Sequence, residues 1–171
     1  MGNLRSVQKA FEKVGSEAII TNDINLIKNA TKIVLPGVGA FKDGMKHLKE
    51  LNLIDVLNDE ILNKKKPFLG ICLGMQLISK VSYENGKTLG LGWINAEIKK
   101  FTFNDNIKLK VPHVGWNNIS FKNENKLLEN INNNSDFYFV HSYHFVTNEN
   151  VISSVSDYGF DFVSSVNKDN I

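Results

Sequence analysis

Cysteine is nearly absent from this sequence: Cys72 is the only one in 171 residues, so no disulfide can form within the chain. A fold without disulfides needs no oxidising compartment, and a reduced cytoplasm suits a working thiol. The sequence also lacks an apolar run close to the roughly 18 residues of a membrane-spanning helix, and its first residues lack the basic and then apolar pattern of a secretion signal. We therefore expect a cytoplasmic protein with no membrane partner.

Neither sign of charge is in large excess, because 20 Lys and Arg residues accompany 18 Asp and Glu residues, for a net charge of +2. The lysines are scattered among acids and form no basic stripe, which argues against nucleic acid as the main ligand. With 42% hydrophobic residues the chain can bury a core. Its length is typical of a single domain, and we expect residues 1–171 to form one.

The most informative stretch surrounds Cys72. Residues 67–71 are a short apolar run typical of a buried strand, and residues 73–81 carry apolar side chains at helical spacing. Gly70 and Gly74 stand two residues before and after Cys72, which matches the pattern of a nucleophile elbow, a tight strand-to-helix turn that needs small neighbours. The alternative is an inert cysteine in an α/β core. The paired glycines favour the elbow.

Strands alternate with helices in the first half, which predicts an α/β fold with a parallel sheet whose ligands bind at the carboxyl ends of the strands. The second half is predicted to be rich in strands. The predicted helices are 3–14, 41–48, 53–62 and 73–81, with at most a helical turn at 26–29. The predicted strands are 18–21, 32–35, 67–71, 93–99, 107–111, 119–121, 137–141, 151–155 and 162–166.

A glycine loop, residues 36–39 (PGVG), follows the predicted strand 32–35 and so lies at the same end of the sheet as Cys72. Such a sequence can be a simple turn. Beside a nucleophile elbow, however, it can present a backbone N–H as the second donor to an oxyanion, the first being the N–H of Leu73. Its two glycines would also let that peptide rotate.

Four motifs occur together and in order: residues 36–39 (PGVG), 70–76 (GICLGMQ), 112–117 (PHVGWN) and 139–143 (FVHSY). With them the chain resembles the class I glutamine amidotransferases over essentially its whole length. The resemblance implies a flavodoxin-like three-layer α/β fold, with a mostly parallel sheet, a nucleophile elbow and an added β-rich portion. Within the class, Val38 in place of a second consecutive glycine and the PHVGW motif are most similar to the glutaminase subunits of imidazole glycerol phosphate synthase.

The resemblance implies that Cys72 attacks the side-chain amide of L-glutamine, so that ammonia leaves and a thioester forms. It places the oxyanion hole at the Leu73 N–H and at the peptide between Val38 and Gly39. It implies no metal and no organic cofactor. The glutamine-binding residues that it implies are Gly37, Gln76, Glu84, Ser142 and Tyr143. By sequence alone, Glu84 can equally be a solvated loop acid.

The resemblance also implies a partner, the barrel-shaped cyclase subunit of the synthase, in a heterodimer that passes ammonia between two active sites. It places Trp116 at the interface as a hinge and Tyr138 near the ammonia exit. The alternative for both is a core aromatic residue.

The sequence also departs from the family pattern. None of its four histidines is convincing as the catalytic base: His47 is expected at the surface, His113 and His141 fall at structural or interface positions, and His144 falls in a strand. The family supplies the base from a His-Pro-Glu segment, expected just beyond Ile171, and it begins with a strand expected before Met1. We therefore expect the domain to lack both segments and the 171 residues to be part of a longer protein.

Three other functions stay open at this point. A paralogue could supply ammonia to a surface-sugar amidotransferase. A catalytically inactive scaffold could bind and regulate a synthase, in line with the missing His-Pro-Glu segment. A thiol stress protein on a related flavodoxin-like fold would also place a cysteine on an elbow, but it leaves motifs 112–117 and 139–143 unexplained.

Overall fold

The computed structural model describes residues 3–104, 106 and 108–171, and up to Ser82 helices alternate with strands. The helices are α1 (Leu4–Lys13), α2 (Ile24–Asn29), α3 (Phe41–Glu50), α4 (Leu53–Asn58), which continues into a π-helical turn (Asp59–Asn63), and α5 (Leu73–Leu77). The strands are β1 (Ile33–Gly37), β2 (Phe68–Cys72) and β3 (Ser79–Ser82).

From residue 88 onward the regular elements are nearly all strands, separated by loops, as expected for the added β-rich portion. A single 3-10 turn, Lys126–Leu128, interrupts them within the described residues. The strands are β4 (Thr88–Leu89), β5 (Ile94–Lys100), β6 (His113–Asn118), β7 (Ser120–Phe121), β8 (Asp136–His141), β9 (Tyr143–Thr147), β10 (Ile152–Asp157) and β11 (Asp161–Val166).

These strands form three sheets: β1 with β2, β6 with β8, and a seven-stranded sheet in the order β4-β3-β5-β9-β11-β10-β7. The pairs β1/β2 and β3/β5 are parallel, and the other pairs of the described residues are antiparallel. Parallel pairing, expected for most of the sheet, is thus confined to strands joined by long crossovers. Short turns join many of the later strands, and a short turn can connect only antiparallel neighbours.

The strand predicted at residues 18–21 is wrong. These residues are extended but belong to no strand, and the side chains of Ile19 and Ile20 are exposed. The carbonyl of Ala18 accepts a hydrogen bond from the Gln8 side chain, 2.6 Å away, where a strand would use a backbone partner. A short apolar run forms a strand only beside another strand, and no described strand is paired with this segment.

The helix predicted over residues 73–81 is also too long, because α5 ends at Leu77 and the chain turns into β3. β3 pairs with β5, and the carbonyls of Leu77 and Ser79 accept hydrogen bonds from the backbone of residues 91 and 92. This tertiary pairing replaces the helical hydrogen bonds that the apolar spacing predicts.

Other predicted elements differ in smaller ways. The helix predicted at 53–62 is present, but its last turn is π-helical. The strand predicted at 107–111 begins outside the described residues, and residues 108–111 are not in a strand. The sequence did not predict β3, β4 or β6, and it predicted β9 only as a strand at His144.

The interior holds two groups of side chains. The larger core packs the helices against β1, β2, β5 and β9 and includes Phe41, Leu48, Leu57, Ile61, Phe68, Leu77, Ile94, Ile98 and Phe145. A second, aromatic cluster surrounds Phe101 and includes Phe103, Phe139, Tyr158, Phe160 and Phe162. Among the described residues, no helix is both long enough and apolar enough to cross a membrane.

A buried ion-pair network holds the start of β2, the strand that leads to Cys72. The Glu60 carboxylate is almost fully buried and lies 2.6 Å from the Nζ atoms of both Lys64 and Lys66. The hydrogen bond from Lys64 has the largest effect, and together with that from Lys66 it holds the pKa of Glu60 below its usual range. The Asn170 side chain also donates to the carbonyl of Lys66, 2.7 Å away. Lys66, two residues before β2, is therefore held from two sides.

Candidate active site

Cys72 lies in a strained turn between β2 and α5. Its backbone has φ +54° and ψ −113°, a combination that residues other than glycine rarely adopt and that clusters at functional sites. A Cβ on Gly70 would lie 2.8 Å from the backbone of Gly74, and a Cβ on Gly74 would lie 1.7 Å from the Leu35 carbonyl oxygen. The turn therefore closes only because both flanking residues are glycines, as a nucleophile elbow requires.

The glycine loop 36–39 lies directly beside this turn. Gly37 is paired with Cys72 in the β1/β2 register, and a Cβ on Gly37 would lie 3.2 Å from the Leu73 Cβ. Val38 is exposed, and Gly39 has φ +101° with open space around it. The expected oxyanion residues Val38, Gly39 and Leu73 thus occur at one end of the two-stranded sheet, and the peptide at Gly39 has room to rotate.

Two of the expected glutamine-binding residues, Gln76 and Tyr143, are joined by a hydrogen bond. The Gln76 Nε2 atom on α5 donates a hydrogen bond to the Tyr143 carbonyl, 3.2 Å away. Ser142 forms the bend between β8 and β9, and its carbonyl accepts a hydrogen bond of 3.0 Å from the Phe101 N–H. The helix that follows the nucleophile is therefore joined to the Ser142–Tyr143 segment.

Glu84 is also part of this arrangement. Its Oε2 atom accepts a hydrogen bond of 2.7 Å from the N–H of Phe41, the first residue of α3, just beyond the glycine loop. A carboxylate at a helix N-terminus is stabilised by the unpaired N–H groups and by the helix dipole. Glu84 is half-buried and holds the end of the loop, so it is not a freely solvated acid.

Trp116 and Tyr138 lie elsewhere, on the separate β6/β8 sheet, where the two residues are paired in register. Their ring centroids are 5.5 Å apart, and their side chains are 71% and 56% exposed. Val114 and Val140, also exposed and also paired in register, extend the same face. The alternative that these aromatic residues belong to the core is therefore wrong.

Comparison with known protein families explains this combination of an elbow and a glycine loop. Residues 2–170 match the family model for class I glutamine amidotransferases. The chain belongs to this family. The resemblance to class I glutamine amidotransferases that the four motifs indicated is therefore confirmed.

Individual relatives are similar over almost the whole chain. The chain is 49% identical to imidazole glycerol phosphate synthase subunit HisH 2 of Methanococcus maripaludis, over 100% of this chain and 84% of the relative. It is 48% identical to the HisH subunit of Aquifex aeolicus, over 100% of this chain and 81% of the relative. A crystal structure of a glutamine amidotransferase superposes with a TM-score of 0.67 at 15% identity, covering 92% of this chain and 81% of that one, which shows the same fold.

The cysteine of the amidotransferase is not activated by its described neighbours. The surrounding protein raises the pKa of the Cys72 thiol by desolvation, although one side of the residue is open to solvent, and a hydrogen bond from the Leu73 N–H offsets part of this increase. Hydrogen bonds within the described residues include none from a histidine to Cys72. The thiol is therefore neutral at pH 7 and needs a base to become a nucleophile.

Two histidines of the amidotransferase are connected to the site through hydrogen bonds. This connection was not predicted from the sequence. His141 Nδ1 lies 3.0 Å from the Tyr143 carbonyl, and His141 Nε2 lies 3.1 Å from His113 Nδ1. The signal that could have found them is that His113 and His141 each lie within one of the four motifs, at 112–117 and 139–143. The Phe41 N–H was also missed, because a backbone donor leaves no trace in a sequence.

Proposed function

We propose that this chain is the glutaminase subunit of imidazole glycerol phosphate synthase. It hydrolyses L-glutamine to glutamate and ammonia, and a cyclase subunit uses the ammonia to form imidazole glycerol phosphate and an aminoimidazole carboxamide ribotide in histidine biosynthesis. The observation that carries the proposal is the strained Cys72 turn in register with Gly37 of the glycine loop. The names of the relatives from Methanococcus maripaludis and Aquifex aeolicus support the choice of synthase.

The geometry supports nucleophilic catalysis. The Cys72 thiolate attacks the side-chain amide carbon of glutamine, and the carbonyl oxygen becomes an oxyanion that accepts hydrogen bonds from the Leu73 N–H and the peptide between Val38 and Gly39. Each such donor contributes on the order of 3 kcal/mol. Collapse of the oxyanion breaks the C–N bond, the nitrogen takes a proton and leaves as ammonia, and water then hydrolyses the thioester to glutamate and free Cys72.

A base must take the thiol proton first, because the pKa of Cys72 is raised. In this proposal the base is the histidine of a His-Pro-Glu segment beyond residue 171. A strand before residue 1 would likewise complete the single domain. Both are segments that the family resemblance implies.

The substrate pocket uses charge and backbone groups. Glu84 accepts the Phe41 N–H through Oε2, which leaves its other oxygen for the ammonium group of glutamine. Gly37, Gln76 and the backbone of Ser142 and Tyr143 complete the pocket.

The exposed face of β6/β8, formed by Val114, Trp116, Tyr138 and Val140, is the proposed contact with the cyclase barrel in a heterodimer. Neighbouring exposed apolar side chains on a protein surface mark interaction sites. The cytoplasmic location expected from the sequence belongs to the same proposal.

The test is glutamate release from glutamine, with and without the cyclase subunit, by residues 1–171 and by a version extended at both ends. We expect release from the extended version in complex with the cyclase, and none after Cys72→Ser. A glutamine-mimicking chloroketone should label the chain once, since Cys72 is its only cysteine, and glutamate should protect it.

Retained hydrolysis in Cys72→Ser would exclude the proposed nucleophile. No hydrolysis by either version in any complex would favour the regulatory scaffold. Stable association with a sugar-modifying synthetase, and not with the cyclase, would exclude the proposed partner.

A further inference from the structure

The two faces of the β6/β8 hairpin are chemically different. Val114 and Trp116 point outward, whereas His113, next to Val114 on β6, is buried on the inner face. His141 lies directly opposite His113 in the register. The same short sheet therefore presents an apolar surface on one side and a pair of imidazoles on the other.

The imidazole pair continues into the glutamine pocket. His113 Nδ1 lies 3.1 Å from His141 Nε2, and His141 Nδ1 lies 3.0 Å from the Tyr143 carbonyl oxygen. That same carbonyl accepts the hydrogen bond from Gln76 Nε2, at 3.2 Å. An unbroken chain of hydrogen bonds thus runs from β6 to the helix that follows the nucleophile.

The chemistry of the acceptor determines where each proton lies. A carbonyl can only accept, so His141 must carry its proton on Nδ1. Burial lowers the pKa of both His113 and His141, which keeps them neutral at pH 7. A neutral His141 then has a lone pair on Nε2, and His113 must donate to it from Nδ1. Both rings are therefore in the Nδ1–H tautomer.

Packing holds the rings in this orientation. The Tyr158 ring stacks on His113 with centroids 3.9 Å apart, and Phe162 meets both rings, at 5.6 Å from His113 and 5.0 Å from His141. Among the described residues, no carboxylate forms a hydrogen bond with either ring. Nothing in the described surroundings therefore competes for the two protons.

We propose that His113 and His141 are positioning residues: a relay of two neutral, tautomerically fixed imidazoles that holds the Tyr143 carbonyl and, through it, the Gln76 side chain. The relay joins the outward, partner-facing side of the hairpin to the glutamine pocket. The role of Gln76 in binding glutamine rests on the proposed function, whereas the state of the two imidazoles does not.

The first experiment observes the imidazoles directly. Long-range ¹H–¹⁵N correlation spectra of the full chain at pH 7.5, assigned with His113→Asn and His141→Asn, report which ring nitrogen carries the proton. We expect both residues to be in the Nδ1–H form. An Nε2–H form of His141, or a charged ring at this pH, would overturn the relay whether or not the chain is a glutaminase.

The second experiment measures glutamine affinity by calorimetry in the Cys72→Ser protein extended at both ends, which prevents turnover. His141→Leu should weaken binding about fivefold, the usual effect of losing one hydrogen bond. His141→Asn should restore most of the affinity, because its amide places an N–H near the position of Nδ1. The matched control is His144→Phe, which changes a third, half-buried imidazole that stacks on Phe101 with ring centroids 4.7 Å apart. This change should leave the affinity unchanged.

Equal affinities of His141→Leu and the reference protein, or no rescue by His141→Asn, would overturn the positioning role. An equal loss in His144→Phe would overturn it too, because the effect would then be general to the aromatic cluster. A reference protein that binds no glutamine would contradict the proposed function, and the tautomer measurement would still decide the state of the relay.

Discussion

The elbow region and the β6/β8 hairpin are stabilised in opposite ways. At the elbow, backbone meets backbone so closely that Gly74 has no room for a Cβ beside the Leu35 carbonyl. In the hairpin, side chains provide the contacts: imidazoles and aromatic rings on the inner face, and exposed Trp116 and Tyr138 on the outer face. The difference shows that backbone packing fixes the conformation of the turn at Cys72, whereas side-chain packing stabilises the hairpin.

The largest expected effect is on the close-packed elbow. Gly74→Ala should lower the free energy of unfolding by about 4 kcal/mol or more, because the new Cβ would overlap a backbone carbonyl that belongs to β1. Urea unfolding measures this loss, and the fraction of folded protein after expression gives a second measure.

The matched control for that change is Gly86→Ala, at a glycine with φ +101° and open space around it. It should cost only about 1–2 kcal/mol, the strain of a positive φ. Similar losses at both positions would mean that the elbow is not closely packed.

A smaller effect is expected on the outer face of the hairpin. Trp116→Ala should weaken binding of the cyclase subunit by about 2 kcal/mol, or about thirtyfold, as for a buried aromatic residue at an interface. The free energy of unfolding of the isolated chain should change by less than about 0.5 kcal/mol, because the side chain is exposed before binding. Calorimetric titration and urea unfolding measure the two quantities.

Leu89 is the control, because it is also exposed but lies on β4, outside the hairpin. Leu89→Ala should leave cyclase binding unchanged. If Leu89→Ala and Trp116→Ala weaken binding equally, or if neither does, the hairpin face is not the interface.

The smallest expected effect concerns the inner histidines. Burial lowers the pKa of His113, His141 and His144 in the folded chain, so below the ordinary histidine value of about 6.5 the unfolded chain binds more protons. The free energy of unfolding should therefore be unaffected by these groups at pH 7.5 and should fall as the pH drops below about 6.5.

His144→Phe removes one of the three histidines and tests whether they lower the unfolding free energy as the pH falls. Between pH 6.5 and 5, the unfolding free energy of the variant should fall less steeply than that of the wild type. The two slopes should differ by up to about 1.4 kcal/mol per pH unit. Lys99 is another charged group near the cluster, and its hydrogen bond to Glu97 raises its pKa, so it stays charged over this range. A steeper fall in the variant would contradict the depressed pKa.

How well the sequence predicted the structure depended on whether the contacts were local. The helices over 3–14 and 41–48 and the strand leading to Cys72 are confirmed, because their apolar spacing and glycines act within a few residues. The strand at 18–21 and the long helix at 73–81 are wrong, because strands need partners that a sequence does not display. Of the predicted site residues, Gly37 pairs with Cys72 and Gln76 donates to the Tyr143 carbonyl, whereas the contacts of Glu84, His113 and His141 were not predicted.

The sequence by itself determined the family and the elbow, since a cysteine between two glycines at a strand-helix junction allows very few backbone conformations. Only the tertiary structure decided that Glu84 holds the helix beyond the glycine loop and that two histidines join the hairpin to Tyr143. These contacts span 43 residues between Phe41 and Glu84 and 28 between His113 and His141. They depend on the pairing of strands that are far apart in the sequence. The position of a residue along the chain does not indicate which distant groups it will contact.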